Sequence, residues 1–220
     1  MSNKIFAIGD VHGRFDLLQK LSVNIMDESN PGDTIVFLGD YVDRGMQSQQ
    51  VIDFLMKDPF PDRKLVCLKG NHEDMMLDSC NGDYYMTQSW MINGGDKTLL
   101  SYNQKVPQSH INFISNMSLT YHEKNYFFCH AGVQPAISLF SQNRETLLWM
   151  RSDDFFNFDG KFLDGNGEKS NYIVVHGHTP QKGIVDITSN RINVDTGAYW
   201  TDVLSCVVLS NDEPMVVIST

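Results

Sequence analysis

Five short apolar runs in this chain each stop beside a glycine flanked by oxygen or imidazole donors, and nothing else in the sequence restricts the fold as strongly. Residues 5–8 lead into Asp10-Val11-His12-Gly13, residues 34–38 into Gly39-Asp40-Tyr41-Val42-Asp43-Arg44-Gly45, and residues 64–68 into Gly70-Asn71-His72-Glu73. Residues 126–129 lead into His130-Ala131-Gly132, and residues 172–175 into His176-Gly177-His178. Runs this short, rich in β-branched and aromatic residues, read as buried strands. A glycine at a strand's end lets the backbone turn sharply, and open α/β sheets carry their ligands at that C-terminal edge.

Between the first three runs the apolar spacing changes to that of helices. Phe15, Leu17, Leu18, Leu21 and Ile25 form one helical face, and Val51, Ile52, Phe54 and Leu55 form another. The order is therefore β-α-β-α-β, the pattern of a parallel sheet with crossover helices. A further helix is expected to start at Glu73. From about residue 81 to 119 polar chemistry thins out. Trp90, Leu99, Tyr102, Ile111, Ile114 and Met117 suggest helices of a cap or side layer, broken at Asn93-Gly94-Gly95, with these apolar residues mostly core. Residues 159–169 read as a surface loop. Residues 191–194 read as a strand, and residues 203–209 and 215–218 as a terminal hairpin about Asn211-Asp212-Glu213-Pro214. The later strands follow one another with little helix between. The fold class expected is α/β: two stacked mixed sheets flanked by helices, the early strands in one and the last strands in the other, all within a single domain of residues 1–220.

The strand-end residues fall into two ligand sets that share one carboxylate. Asp10, His12 and Asp40 make the first, and Asp40, Asn71, His130 and His178 the second. Imidazole and carboxylate without thiolate suit Mn²⁺, Fe or Zn²⁺, and the expectation is two divalent ions, Mn²⁺ foremost. Such a pair activates water and neutralises phosphoryl oxygens. His72 is the candidate general acid, because imidazole titrates near neutrality, and Asp43 is its orienting partner. Arg44 and Arg151 are expected to grip a phosphate and to stabilise charge in the transition state, with Asn71 also near the substrate. His110, His122, Asp74 and Asp78 read as structural or solvated residues, and Asp195 as a turn-former.

The chain of 220 residues carries a formal charge of −10, which argues against a nucleic-acid partner. A phosphorylated substrate must then be drawn by the metals and a few arginines. The four cysteines, Cys67, Cys80, Cys129 and Cys206, form no CxxC pair, so neither a disulfide framework nor a zinc knuckle is expected. No signal-peptide pattern or run of ~20 apolar residues is present. The expected location is the cytoplasm, without membrane contact, and the default state a monomer.

Taken together, the motifs GDVHG, GDYVDRG, GNHE, HAG and GHTP, in that order from Asp10 to Gly197, resemble the phosphoprotein phosphatase family of metallophosphoesterases, its smaller bacterial and bacteriophage lambda-type members above all. Leu148-Trp149-Met150-Arg151 is similar to the family segment carrying a phosphate-binding arginine, and Trp90–Gly95 to a stretch of the bacterial members. The resemblance implies a calcineurin-like sandwich and a binuclear centre. It also implies direct attack of a metal-bridging hydroxide on phosphorus, and a phosphorylated protein or peptide substrate with serine or threonine, and possible phosphotyrosine, esters. It further implies that the ligand is His178, the histidine after the glycine, rather than His176. Dinucleoside polyphosphate hydrolases of the same superfamily are the alternative, although they often lack the second aspartate, which is present here as Asp43. Lys69 stands where lambda-type members often carry arginine, so a phosphate contact there would be weaker and less oriented. A non-catalytic binding scaffold would have lost ligands, and none of those expected is missing.

Overall fold

The computed structural model describes residues 3–210 and 215–220. Strand β1 (Ile5–Ile8), helix α1 (Phe15–Glu28), strand β2 (Thr34–Phe37), helix α2 (Ser48–Met56) and strand β3 (Lys64–Cys67) form the expected β-α-β-α-β unit, its strands parallel. Helix α3 (Asn71–Cys80) starts two residues before Glu73. The reason is local: the Glu73 carboxylate accepts the Gly70 N–H at 2.9 Å and closes the first turn around Asn71 and His72.

Helices α4 (Tyr84–Trp90), α5 (Asp96–Ser101) and α6 (Gln108–Ser115) occupy the expected side layer. At Asn93-Gly94-Gly95 the helices break as expected: Gly94, at φ 103°, is not helical and kinks the chain between α4 and α5. The rest of the chain runs β4 (Thr120–Glu123), β5 (Tyr126–Cys129), α7 (Arg144–Trp149), α8 (Asp153–Phe156), β6 (Ile173–His176), β7 (Asp186–Ile187), β8 (Arg191–Asn193), α9 (Ala198–Thr201), β9 (Ser205–Leu209) and β10 (Val216–Ser219). Strands β4 and β7 carry no apolar run and have no counterpart in the sequence reading. They are the two outer strands of their sheet, where pairing needs little burial.

The strands form two five-stranded sheets, β10-β9-β1-β2-β3 and β4-β5-β6-β8-β7. One expectation fails here: the terminal hairpin does not join the later strands. Strand β9 pairs antiparallel with β1, Ile5 opposite Leu209, and so returns to the first sheet. Otherwise β1, with no apolar exposure of its own, would have a bare edge. Pairing of β9 with β10 is the expected hairpin, whose turn at 211–214 lies outside the described residues.

Period-two alternation builds the layers. From β1, Ile5 and Ala7 face the second sheet, in one cluster with its Phe128, Val175 and Ile192 and with Val207 of neighbouring β9. Phe6 and Ile8 face the opposite way, onto Leu18, Leu21 and Val51 of α1 and α2. A third cluster, with Phe127, Val174, Leu147 and Phe155, covers the outer face of the second sheet. Each such side chain contributes about 1.5–3 kcal/mol when fully buried. The loop at 159–169 is largely exposed, and Asp164 closes it by accepting the N–H groups of Asn166 and Glu168 at 2.8 and 3.0 Å. No described helix is long and apolar enough to cross a membrane.

The sheets meet tightly where the ligand-bearing loops leave them. Gly39 has φ 108°, and a Cβ there would lie 2.6 Å from the Gly70 nitrogen and 2.9 Å from His130 Nδ1. Gly82 has φ 89° with nothing within 4 Å. Gly82→Ala should therefore cost about 1 kcal/mol, from the backbone alone. Gly39→Ala should cost about 3 kcal/mol or more, through collision. Urea unfolding midpoints compare the two; equal shifts would show that the β2 and β3 loops can separate freely.

Candidate metal centre and active site

Left-handed backbone gathers at one place. Of the eleven described non-glycine residues with positive φ, five belong to the strand-end motifs: His12, Asp40, Asp43, Arg44 and His178, at 45°, 54°, 72°, 67° and 68°. Each costs of order 1–3 kcal/mol and persists only where its surroundings over-determine it. Here they do. One carboxylate, Glu73, accepts the N–H groups of Asp40, Tyr41, Val42 and Gly70 at 2.9, 2.8, 3.2 and 2.9 Å. The Asp40 carbonyl in turn accepts Val11 and His12 N–H at 3.0 and 2.8 Å, so the loops after β1 and β2 lock together. Burial and the Asp40 charge push the Glu73 carboxyl up to about 7, against the pull of its backbone donors.

Around this frame two donor clusters form, His12–Asp40–His72 and Asp40–His130–His178, with Asp40 common to both. His12 Nε2 lies 3.5 Å from Asp40 Oδ2, and His130 Nε2 lies 3.4 Å from Asp40 Oδ1. Both rings face a backbone carbonyl with their other nitrogen: His12 Nδ1 donates to Val42 and His130 Nδ1 to Leu38, each at 2.9 Å. Burial lowers the pKa of both. Each neutral ring therefore turns a lone pair, not a proton, toward an Asp40 oxygen. The Asn71 Oδ1 oxygen adds another lone pair, 2.8 Å from His130 Nε2 and 3.0 Å from His178 Nδ1. His178 Nε2 is buried without a hydrogen-bond partner among the described residues. The lone pairs of His12 and His130 turned on Asp40, with the Asn71 oxygen and the unpartnered His178 nitrogen beside them, are what a divalent cation relieves, so this donor set fits a pair of such ions.

The neighbouring charges agree. Burial works against the Asp40 anion, yet the surrounding imidazoles hold its pKa below the carboxylate range. Burial raises Asp10 strongly, and the charges of Asp195 and Asp40 raise it further. Burial pushes Asp195 up to about 6. Three buried carboxyls crowding one another mark a place that positive charge would stabilise. Asp10 reaches the centre, but both its oxygens accept the His178 N–H, at 3.2 and 3.1 Å. In the geometric cluster its place beside His12 is taken by His72.

His72 and Asp43 meet as their spacing suggests. Nδ1 lies 2.6 Å from Asp43 Oδ2, and the carboxylate has no solvent exposure. It also accepts Trp90 Nε1–H at 2.9 Å and the Thr98 hydroxyl at 2.7 Å. Burial alone would depress the His72 pKa, but Asp40 and Asp43 outweigh it and the net shift is upward. Trp90 is core, as expected, yet its indole N–H does a second job that a buried Trp must find somewhere. The helical side layer thereby reaches into the site, and Arg44 N–H adds a bond to the Gly94 carbonyl at 3.3 Å.

Arg44 Nη2 is 3.3 Å from His72 Nε2, and its guanidinium lies over the Tyr199 ring at 4.5 Å. Tyr199 also sits edge-on to His12, at 5.4 Å between centroids. Tyr199 has no place in the sequence reading; an aromatic after Asp195-Thr196-Gly197 carries no periodicity to reveal it. Arg151, on the far side, donates to the His178 carbonyl at 3.2 Å, next to half-exposed Trp149.

The residues set aside are placed as follows. His176 is in neither cluster, and burial holds its pKa at about 3. Lys69 Nζ donates to the Ser115 carbonyl at 3.2 Å, so the phosphate contact considered for it is not made from that rotamer. Asp195 forms its expected turn, accepting Gly197 N–H at 2.9 Å, while also crowding Asp10. His110 is buried between Tyr102 and Asp53, His122 packs on Phe140, and Asp74 pairs with Arg144.

Residues 3–207 match the family of calcineurin-like phosphoesterases. Serine/threonine-protein phosphatase 2 of Escherichia coli K12 is 28% identical over 204 residues, covering 88% of this chain and 87% of that protein. The asymmetrical bis(5'-nucleosyl)-tetraphosphatase PrpE of Bacillus cereus is 27% identical over 220 residues, covering 88% and 85%. A solved structure described as a candidate diadenosine tetraphosphatase shares the fold at a TM-score of 0.71 and 20% identity, covering 100% of this chain and 94% of that one.

Glu73→Gln keeps the volume but sets an amide N–H group against backbone donors. It should weaken Mn²⁺ binding to the metal-free protein about 10–100-fold and lower stability by about 2–4 kcal/mol. Titration calorimetry and urea unfolding read the two effects. Unchanged affinity would mean that the Asp40 loop holds its shape without Glu73.

Proposed function

The chain belongs to the calcineurin-like phosphoesterase family, and from that premise we propose that it hydrolyses phosphoserine and phosphothreonine monoesters in proteins, with some action on phosphotyrosine. The observation that carries this reading is the His72–Asp43 pair at 2.6 Å, with Asp43 fully buried and further held by Trp90 and Thr98. An alkoxide is a poor leaving group and must be protonated as it departs. A nucleotide phosphate leaving from an anhydride is far more stable as an anion and has little use for so firmly built an acid.

The residues divide the work. Two divalent cations, Mn²⁺ in our reading, held by His12, Asp40, Asn71, His130 and His178 with Asp10 beside them, would supply Lewis acidity toward the phosphoryl oxygens and the attacking water. Arg44 and Arg151, one on each side of the centre, grip the remaining oxygens and offset the charge that grows on them. Tyr199 keeps the Arg44 guanidinium in one plane. His72, with Nδ1–H given to Asp43, is placed to deliver a proton from Nε2 to the leaving oxygen once the substrate draws away Arg44 Nη2, which lies 3.3 Å from that nitrogen.

One feature favours a second reading. Tyr199 and Trp149 are 37% and 39% exposed and stand edge-on to His12 and His178, one ring at each cluster. Two such rings would suit the two bases of a dinucleoside polyphosphate.

A substrate panel separates these. With Mn²⁺ restored after chelation, a phosphoserine peptide should be cleaved with higher kcat/KM than diadenosine tetraphosphate; a preference for the dinucleotide by orders of magnitude would reverse the assignment. The role of the dyad has its own test. Asp43→Asn should lower kcat on the phosphoserine peptide by ~10²–10⁴, and on p-nitrophenyl phosphate, whose leaving group needs no proton, by only ~10-fold. Equal losses on both would remove His72 from the role of general acid.

A further inference from the structure

Arg191, on β8, is only 5% exposed, although it carries a permanent charge. Its guanidinium sits over the rings of Phe155 and Phe156, at 5.9 and 5.3 Å, and pairs with Asp186 of neighbouring β7 at 2.9 Å. Its Nε has no hydrogen-bond partner among the described residues. Burying a cation is costly even when it is paired, and packing alone does not require it, since an aliphatic chain would fill the same slot. What the charge does reach is His176: Arg191 Nη1 lies 3.5 Å from His176 Nε2.

That contact fixes which nitrogen of His176 carries the proton. Nε2 faces a donor that cannot give up its charge, so the proton belongs on Nδ1, which lies 2.9 Å from the Gly177 carbonyl and donates to it. Gly177 is pressed from the other side as well, for a Cβ there would lie 2.1 Å from Asp10 Oδ1. Next in the chain comes His178, with φ 68°, its N–H donated to Asp10 and its carbonyl accepting from Arg151.

We propose that Arg191 and His176 are positioning residues for His178: Arg191 selects the His176 tautomer, and His176 anchors the Gly177 carbonyl so that left-handed His178 keeps its ring beside Asp40 and His130. This rests on the reading that the Asp40–His130–His178 cluster holds a cation, and it adds two residues that touch neither metal nor substrate. Ligand orientation through an outer partner of this kind typically changes metal affinity about 10–100-fold.

The experiment is Mn²⁺ titration calorimetry on metal-free protein in two backgrounds, His12→Ala, which disables the first cluster, and His178→Ala, which disables the second. In the His12→Ala background, His176→Phe should raise the Kd about 10–100-fold. His176→Gln, which can still donate an N–H to Gly177, should restore most of the affinity. Arg191→Lys, which keeps the pair with Asp186 but loses the fork toward His176, should fall between. In the His178→Ala background His176→Phe should leave the Kd unchanged. An unchanged Kd in the first background, or an equal loss in both, would overturn the proposal, the second by marking a general loosening. Should His176→Phe fail to fold, by its urea midpoint, Arg191→Lys decides alone. If the His12→Ala parent itself binds no ion, the metal reading of the second cluster falls and takes this proposal with it; a bound ion indifferent to residues 176 and 191 sinks the proposal only.

Discussion

Four backbone N–H groups converge on the carboxylate of Glu73, and the centre depends on that convergence. Three of them come from consecutive residues of the loop after β2, a run that no regular structure would satisfy. A buried amide left without a partner costs about 1–3 kcal/mol, so three in a row would unfold the loop or fill it with water. Glu73 removes that cost from the first turn of α3, and in doing so sets the distance between the ends of β2 and β3. Asp40, the carboxylate common to both donor clusters, takes its place from this bond rather than from its own strand.

Charge is the second constraint. The chain is acidic overall, with a formal charge of −10, and Asp10, Asp40, Asp43, Glu73 and Asp195 are all buried near one another. Each is compensated differently. Asp43 has neutral donors from Trp90 and Thr98 beside the His72 ring, and Glu73 has the backbone. Burial raises both Asp10 and Asp195; the Asp195 charge raises Asp10 further, whereas a hydrogen bond with Asp10 lowers Asp195. The remaining deficit lies at Asp40 and the lone pairs facing it, and that is where cations belong. The acidic composition and the arginines beside the centre, Arg44 and Arg151, are thus parts of one arrangement, in which positive charge is concentrated at the site.

The side layer formed by α4, α5 and α6 shows how a scaffold enters chemistry without supplying a reacting group. Its apolar residues pack as core, but Trp90, Thr98 and Gly94 each spend one polar group on Asp43 or Arg44. Read as a sequence, that region looks inert, because an indole N–H aimed at a carboxylate leaves no trace in hydropathy. Tyr199 is hidden for the same reason: its partner, Arg44, is 155 residues away in the chain.

Much of this protein is legible in one dimension. Apolar runs closed by glycine and donors located β1, β2, β3, β5 and β6, and the helices between the first three implied their parallel pairing. The spacing of Asp43 from Arg44 and of His72 from Asn71 was enough to pair the dyad. These features are local: strand propensity, turn chemistry and the alternation of side chains act within a few residues. What only the folded molecule decided is everything that depends on which distant segments meet. The return of β9 to the first sheet, the outer strands β4 and β7, the knot at Glu73, the stacking of Arg44 on Tyr199 and the burial of Arg191 against His176 all arise from contacts whose energy appears only once chain entropy has been overcome by the core. A sequence names the groups able to make such contacts; packing chooses among them, because each buried polar group must find a partner in the space the two sheets leave.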